Sequence, residues 1–233
     1  MQRHFEIELE QLQVRIIEMG ALVQQAIHLS VDVFQSGNAL LTGEEAIHSA
    51  KEVINRIEPQ VNELQRQIDK NALDLLALQH VVASDLRFVT TATRIGNDLE
   101  SMSDRAVNIA HRAISILASR NPNSVAQIPA MAQAVEAMVR DAMDSFVRRD
   151  EPLALLILKR EKEIHRYRDQ VFQELTSGVT SETQAIQHSL DLILISRNLE
   201  RITDHATSIA ENVVFMVRGE DIRHRYNVAG GPH

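Results

Sequence analysis

The chain has 233 residues, with 24 Lys and Arg against 32 Asp and Glu and a formal charge of −8. That balance opposes binding to a phosphate backbone, and 6 Phe, 2 Tyr and no Trp leave little base-stacking surface, so a nucleic-acid-binding role is excluded. There is no cysteine, which removes disulfides, thiolate metal sites and cysteine catalysis.

With 8 Gly and 5 Pro, about half of average usage, the chain has few places to turn. Its 44% hydrophobic content is nonetheless enough for a sizeable core. The stretch MQRHFEIELEQLQ at the N-terminus is charged throughout, and the longest apolar run, Leu153 to Leu158, is too short to cross a bilayer. The expected location is cytoplasmic, with no secretion leader and no transmembrane segment.

Apolar residues recur at threes and fours from Phe5 through Leu9, Leu12, Ile16, Met19, Val23 and Ile27 to Phe34, which predicts a first helix closed by Ser36-Gly37-Asn38. Gly43 precedes a second helix over 44–79. Pro59 predicts a kink there, because proline removes one intrahelical hydrogen bond and clashes with the preceding turn. After a short connection at 80–83, Ser84 is the expected N-cap of a third helix that ends near Ala118. Asn121-Pro122-Asn123-Ser124 reads as the linker. A fourth helix follows over 124–148, with Pro129 confined to its first turn. Asp150-Glu151-Pro152 reads as cap and acidic first turn of a fifth helix closed by Ser177-Gly178, and Ser181 to Gln184 has capping-box spacing for a sixth. The pattern stops after Gly219. The expected class is all-α, with six long helices.

An internal repeat organises these helices. Asp98-Leu-Glu-Ser-Met-Ser-Asp104-Arg-Ala-Val-Asn-Ile-Ala110 lines up with Asn198-Leu-Glu-Arg-Ile-Thr-Asp204-His-Ala-Thr-Ser-Ile-Ala210, and Phe34 with Phe146. Long helices with short connections lie antiparallel to their neighbours. The expectation is therefore two tandem, duplicated three-helix bundles over 1–120 and 121–218, with 219–233 a tail.

Glu100 and Asp104 lie four apart, so both carboxylates leave one side of the third helix, in a polar stripe with Asn97, Asn108 and His111. The second copy gives Glu200 and Asp204, extended by Arg197, Ser208 and Glu211. Like charges at this spacing cost a few tenths of a kcal/mol. Their presence in both halves sets a hard cation with oxygen ligands against the plain reading of a solvated acidic face.

Leu199 to Glu211, LERITDHATSIAE, resembles the repeated motif of the PhoU family of phosphate-uptake regulators, and Leu99 to Ala110 is a looser second copy. Leu75 to Arg87 resembles the family segment between the second and third helices, and the resemblance runs over about residues 2–218. It implies two three-helix bundles and carboxylate motifs able to hold multinuclear iron or zinc. It also implies a place between the phosphate ABC transporter ATPase subunit and a membrane sensor kinase. The family motif falls on Glu100, Asp104 and Asn108 in the first half and on Glu200 and Asp204 in the second, with Ser208 departing from it. The family's middle-helix pair falls on Glu161 and His165 in the second half but on Lys51 and Asn55 in the first. The resemblance therefore implies a favoured metal site at Glu161, His165, Glu200 and Asp204, and a weaker or empty first site where Lys51 neutralises Glu100 and Asp104.

Other features have ordinary readings. His4, His28, His48, His80 and His188 lack ligand spacing and read mostly as surface residues; Glu45-Ala-Ile-His48 lacks the second copy a di-iron bundle needs. No phosphate loop, nucleophile elbow or nucleotide fingerprint occurs, so no organic cofactor is expected. Met19, Met102, Met131, Met138 and Met143 read as core fillers. Arg148-Arg149, Lys159-Arg160 and Arg223 to Arg225 read as solvated. The expected function is a non-enzymatic, negatively acting regulator that couples phosphate transport to sensor-kinase signalling, with a homodimer among its open assembly states. A carboxylate-bridged metalloenzyme and a metal-free helical scaffold are the alternatives.

Overall fold

The computed structural model describes residues 2–35, 43–77, 82–119, 127–177 and 183–223. Its helices are α1 (Gln2–Gln35), α2 (Gly43–Glu52), α3 (Glu58–Ala77), α4 (Ala83–Ser119), α5 (Gln127–Arg148), α6 (Glu151–Ser177) and α7 (Thr183–Arg218). A π turn, Val53–Ile57, joins α2 to α3 into one continuous rod, so the fold is all-α with six long helices in two repeats of three. Among the described residues there is no strand.

The rod shows how Pro59 is accommodated. The Glu58 N–H reaches back to the Val53 carbonyl, five residues away, so the turn before the proline is widened. A widened turn relieves the clash with the preceding carbonyls without ending the helix. Pro129 and Pro152 each lie in a first turn, where no intrahelical N–H is lost.

The α5–α6 junction follows its sequence closely. Arg149 takes φ 53°, its N–H bonds the Phe146 carbonyl at 3.3 Å and the Asp150 N–H bonds the Ser145 carbonyl at 2.9 Å, a Schellman closure. Asp150 then caps α6, its Oδ1 accepting from the Leu153 N–H at 2.9 Å. At the end of α7, Gly219 takes φ 76° and its N–H bonds the Phe215 carbonyl at 2.8 Å. Ser84, the expected cap of α4, lies inside the first turn. The Val82 carbonyl starts the helix, accepting from the Asp85 and Leu86 N–H groups at 3.0 Å each, while the Ser84 hydroxyl turns to the Asp85 carboxylate. The expected breaks at Ser36–Asn38, His80 and Asn121–Ser124, and the capping start at Ser181, lie outside the described residues.

The duplicated stretch is first a core stripe. Leu99 and Leu199, Met102 and Ile202, Ala106 and Ala206, Ile109 and Ile209, and Ala110 and Ala210 are all fully buried. Each repeat packs its own three helices together, α1, α3 and α4 in the first and α5, α6 and α7 in the second. The broadest contact, however, joins α4 to α7, and α1 also packs on α5. One continuous hydrophobic cluster therefore runs through both repeats. The α4–α7 pair is antiparallel, because Arg94, Asp98 and Arg112 meet Asn212, His205 and Asp191 in descending order. All five methionines expected in the core are buried there.

Polar groups fix the seam. Asp191, almost fully buried, accepts from Arg112 Nη1 at 2.9 Å and from the Ser115 hydroxyl at 3.0 Å. At the α1–α5 contact Gly20 lies so close to Met143 that an added Cβ would stand 2.4 Å from the thioether methyl. His28 of α1 meets Glu136 of α5 at 3.1 Å. His188 is buried rather than on the surface, because it belongs to the packed face of α7.

Candidate functional site

In the second repeat the four predicted residues stand on facing stretches of α6 and α7, with His165 meeting Glu200 and approaching Glu161. Glu161 and His165 stand one turn apart on α6, and Glu200 and Asp204 one turn apart on α7, so two carboxylate-bearing faces meet across the helix pair. His165 Nδ1 lies 2.8 Å from Glu200 Oε1, and its Nε2 lies 3.8 Å from Glu161 Oε1. Burial pushes the Glu161 carboxyl above its ordinary range; His165 opposes this and the Asp204 and Glu200 charges add to it. Burial also pushes Asp204 up, reinforced by the Glu200 charge and opposed by Arg201.

The sequence reading missed Arg168. Its Nη1 donates to the same Glu200 Oε1 at 2.8 Å, while its Nη2 and Nε hold Asp169 Oδ1 at 2.6 and 3.0 Å. Arg201 approaches Asp204 at 3.7 Å. These residues, with Arg197 and Phe172, line an open groove of about 600 Å³ between α6 and α7. The signal for Arg168 was in the spacing: it stands seven residues after Glu161, on the same helical stripe.

The first repeat departs from expectation in the opposite sense. Lys51 is exposed at the end of α2 and, among the described residues, forms no ion pair with Glu100 or Asp104; Asn55 is exposed in the π turn. Glu100 is pushed up by burial and then by Asp104, with a further rise from Glu58 of α3. Glu58, seven residues after Lys51, thus adds negative charge near Glu100, whereas Arg168, seven residues after Glu161, brings a positive one to Glu200. Asn108 turns back to the Asp104 carbonyl at 2.9 Å.

Between the two carboxylate pairs lies a third polar group. Asp98 of α4 receives His205 Nδ1 at 3.0 Å and the Ser208 hydroxyl at 2.8 Å, both from α7. Ser208 is thereby drawn into the inter-repeat seam instead of the second site. His205 stands in the field of both Glu100 and Asp204, so the two sites flank the seam.

The fit to a metal can be read from these contacts. Among the described residues, no three His, Asp or Glu side chains converge on a position that could hold a metal ion. Both lone pairs of Glu200 Oε1 face nitrogen donors. The side chains as placed form an ion-pair network, not a ligand shell.

Fold and sites together define a class: a duplicated six-helix protein whose repeats fuse along their last helices and each carry a carboxylate pair beside that seam, half-buried in the second repeat and with Asp104 exposed in the first. The family model of the PhoU domain matches twice, over residues 16–113 and 128–213. The chain belongs to the PhoU family. A phosphate-specific transport system accessory protein PhoU homolog of Pseudomonas aeruginosa is 32% identical over 95% of this chain and 88% of its own length. The homolog of Pseudomonas putida is 33% identical over 95% and 84%. The crystal structure of PhoU from Pseudomonas aeruginosa superposes with a TM-score of 0.84 at 31% identity, covering 93% of this chain and all of that one. The phosphate transport system regulatory protein PhoU from Streptococcus pneumoniae gives a TM-score of 0.78 at 26% identity over 93% and 98%. Among the described residues, no helix is long and apolar enough to cross a membrane.

Proposed function

We propose that this protein is a regulatory accessory component of a phosphate-specific transport system. On this reading it is a non-catalytic cytoplasmic adaptor that joins the transporter's ATPase subunit to a membrane sensor kinase and keeps phosphate-starvation genes repressed. The observation that carries it is the extent of the likeness: relatives named as accessory proteins of phosphate-specific transport match through both repeats, over 95% of the chain. The architecture suits the role, since fused long helices offer extended faces on which a partner can dock.

The carboxylate pairs then serve structure or partner contact, with iron or zinc as the metals the family resemblance implies. The metalloenzyme alternative draws on the meeting of Glu161, His165, Glu200 and Asp204; the ion-pair network they form supports it less than it supports an adaptor. A pull-down with the full chain from phosphate-replete cells tests the proposal. Recovery of the transporter ATPase subunit and the sensor kinase is the expected result. Recovery of neither, alongside metal-dependent turnover lost in Glu200→Ala, would replace the adaptor by the enzyme.

A further inference from the structure

We propose that Arg168 is a resident counter-cation of the second repeat: its guanidinium holds the Glu200 carboxylate and competes with a divalent cation for it. The inference rests on the geometry of α6 and α7 and is independent of the transport role.

Glu200 has only 14% of its side chain exposed, and Oε1 receives both His165 Nδ1 and Arg168 Nη1 at 2.8 Å. A carboxylate oxygen offers two lone pairs, and here each has an N–H donor. A transition-metal ion would need a carboxylate oxygen at about 2.0–2.2 Å. Entry at Oε1 therefore requires a donor to leave, and entry at Oε2 places a divalent charge beside a fixed positive one. Asp169 grips Arg168 Nε and Nη2 from the next position, which aims Nη1 at α7.

The first repeat shows that this cation is a property of the second site and not of the shared fold. Where Arg168 follows Glu161 and His165, the first repeat has Glu58 after Lys51 and Asn55, and Glu58 raises the Glu100 carboxyl instead of bonding to it. The same station beside the same duplicated carboxylate thus carries opposite charge in the two halves. Position 168 decides how readily the second site accepts an external cation. On this proposal the second site holds a resident cation at Glu200, whereas Lys51 is exposed and supplies none to the first.

The test is titration with Mn2+ alone, followed by calorimetry, on the full chain and on Arg168→Gln, Arg168→Lys and Arg168→Gln/Glu200→Gln. Arg168→Gln should bind about tenfold more tightly than the wild type, since cation affinity follows the net charge of the ligand set. The gain should vanish in the double variant, and Arg168→Lys should stay near wild type. An unchanged affinity in Arg168→Gln, an equal gain in Arg168→Lys, or a gain that survives Glu200→Gln would overturn the proposal. A second readout needs no variant. If the wild type takes Mn2+ or Zn2+ at Glu200, the Arg168 Nε–H resonance must move on saturation with diamagnetic Zn2+. Perturbed Glu200 signals beside an unmoved Arg168 resonance would also overturn it.

Discussion

Replacing Asp191 by Ala removes the most buried charge on the α4–α7 seam. The wild-type carboxylate is 4% exposed and bonds Arg112 Nη1 at 2.9 Å and the Ser115 hydroxyl at 3.0 Å, with Gln187 Nε2 at 3.4 Å. Breaking a fully buried ion pair costs about 3–5 kcal/mol, because the remaining charge is stranded. Arg112 is 33% exposed, so part of its guanidinium can turn to water and the loss falls to the lower end of that range. A cost of about 3 kcal/mol in a chain of this size lowers the thermal midpoint by roughly 6–12 °C. The assay is calorimetric melting under reversible conditions. A double-mutant cycle with Arg112→Ala should return a coupling energy of about 1–3 kcal/mol. A midpoint within 2 °C of wild type, or a coupling near zero, would show that the seam is held by apolar packing and that Asp191 is incidental.

Gly20→Ala should be tolerated within about 1 kcal/mol, since the added methyl displaces only the flexible tip of Met143 and alanine favours the helix; Gly20→Leu overpacks the α1–α5 contact and should cost about 1–3 kcal/mol in denaturant melts. Arg149→Gly should raise the midpoint by a degree or two. It relieves a left-handed residue at a cost of about 1 kcal/mol, against about 0.5 kcal/mol lost from the guanidinium 5.9 Å over the Phe88 ring. In metal-free buffer, stability should fall as pH rises from the ordinary carboxylate range through the raised values of Glu161 and Asp204, because the folded state there binds more protons than the unfolded one. Glu161→Gln and Asp204→Asn should each flatten that dependence in melts between pH 4 and 7; an unchanged slope in both would show that these two carboxylates do not set it.

Helix positions, several caps and the duplication were legible because they are local: period, spacing and punctuation residues act within a few turns. The cap at Asp150 and the close after Gly219 needed nothing beyond neighbouring backbone groups. Ser84 failed because a cap depends on where the preceding backbone turns, which the residue type alone does not fix. The fusion of the repeats was not legible for a different reason. Periodicity identifies a buried stripe on α4 and α7 but does not say that α7 shares α4 with the first repeat. Nothing in the sequence pattern marks Asp191, Asp98 and His205 as the polar groups of that seam. At the candidate site the facing of α6 and α7 was legible, since His165 meets Glu200, but the cation that Arg168 brings to the same oxygen was not. The family pattern placed Lys51 opposite Glu100 and stopped at the pair spaced by four, whereas Arg168, one turn further along the stripe, also reaches Glu200 on the last helix.

The central claim is regulation of phosphate uptake, and its most direct measurement is a phosphate-starvation reporter in the host lacking this gene, grown in abundant phosphate. The reporter should be switched on in the deletion strain and silenced again by the full chain supplied in trans. A reporter that stays fully repressed without the gene would contradict the account.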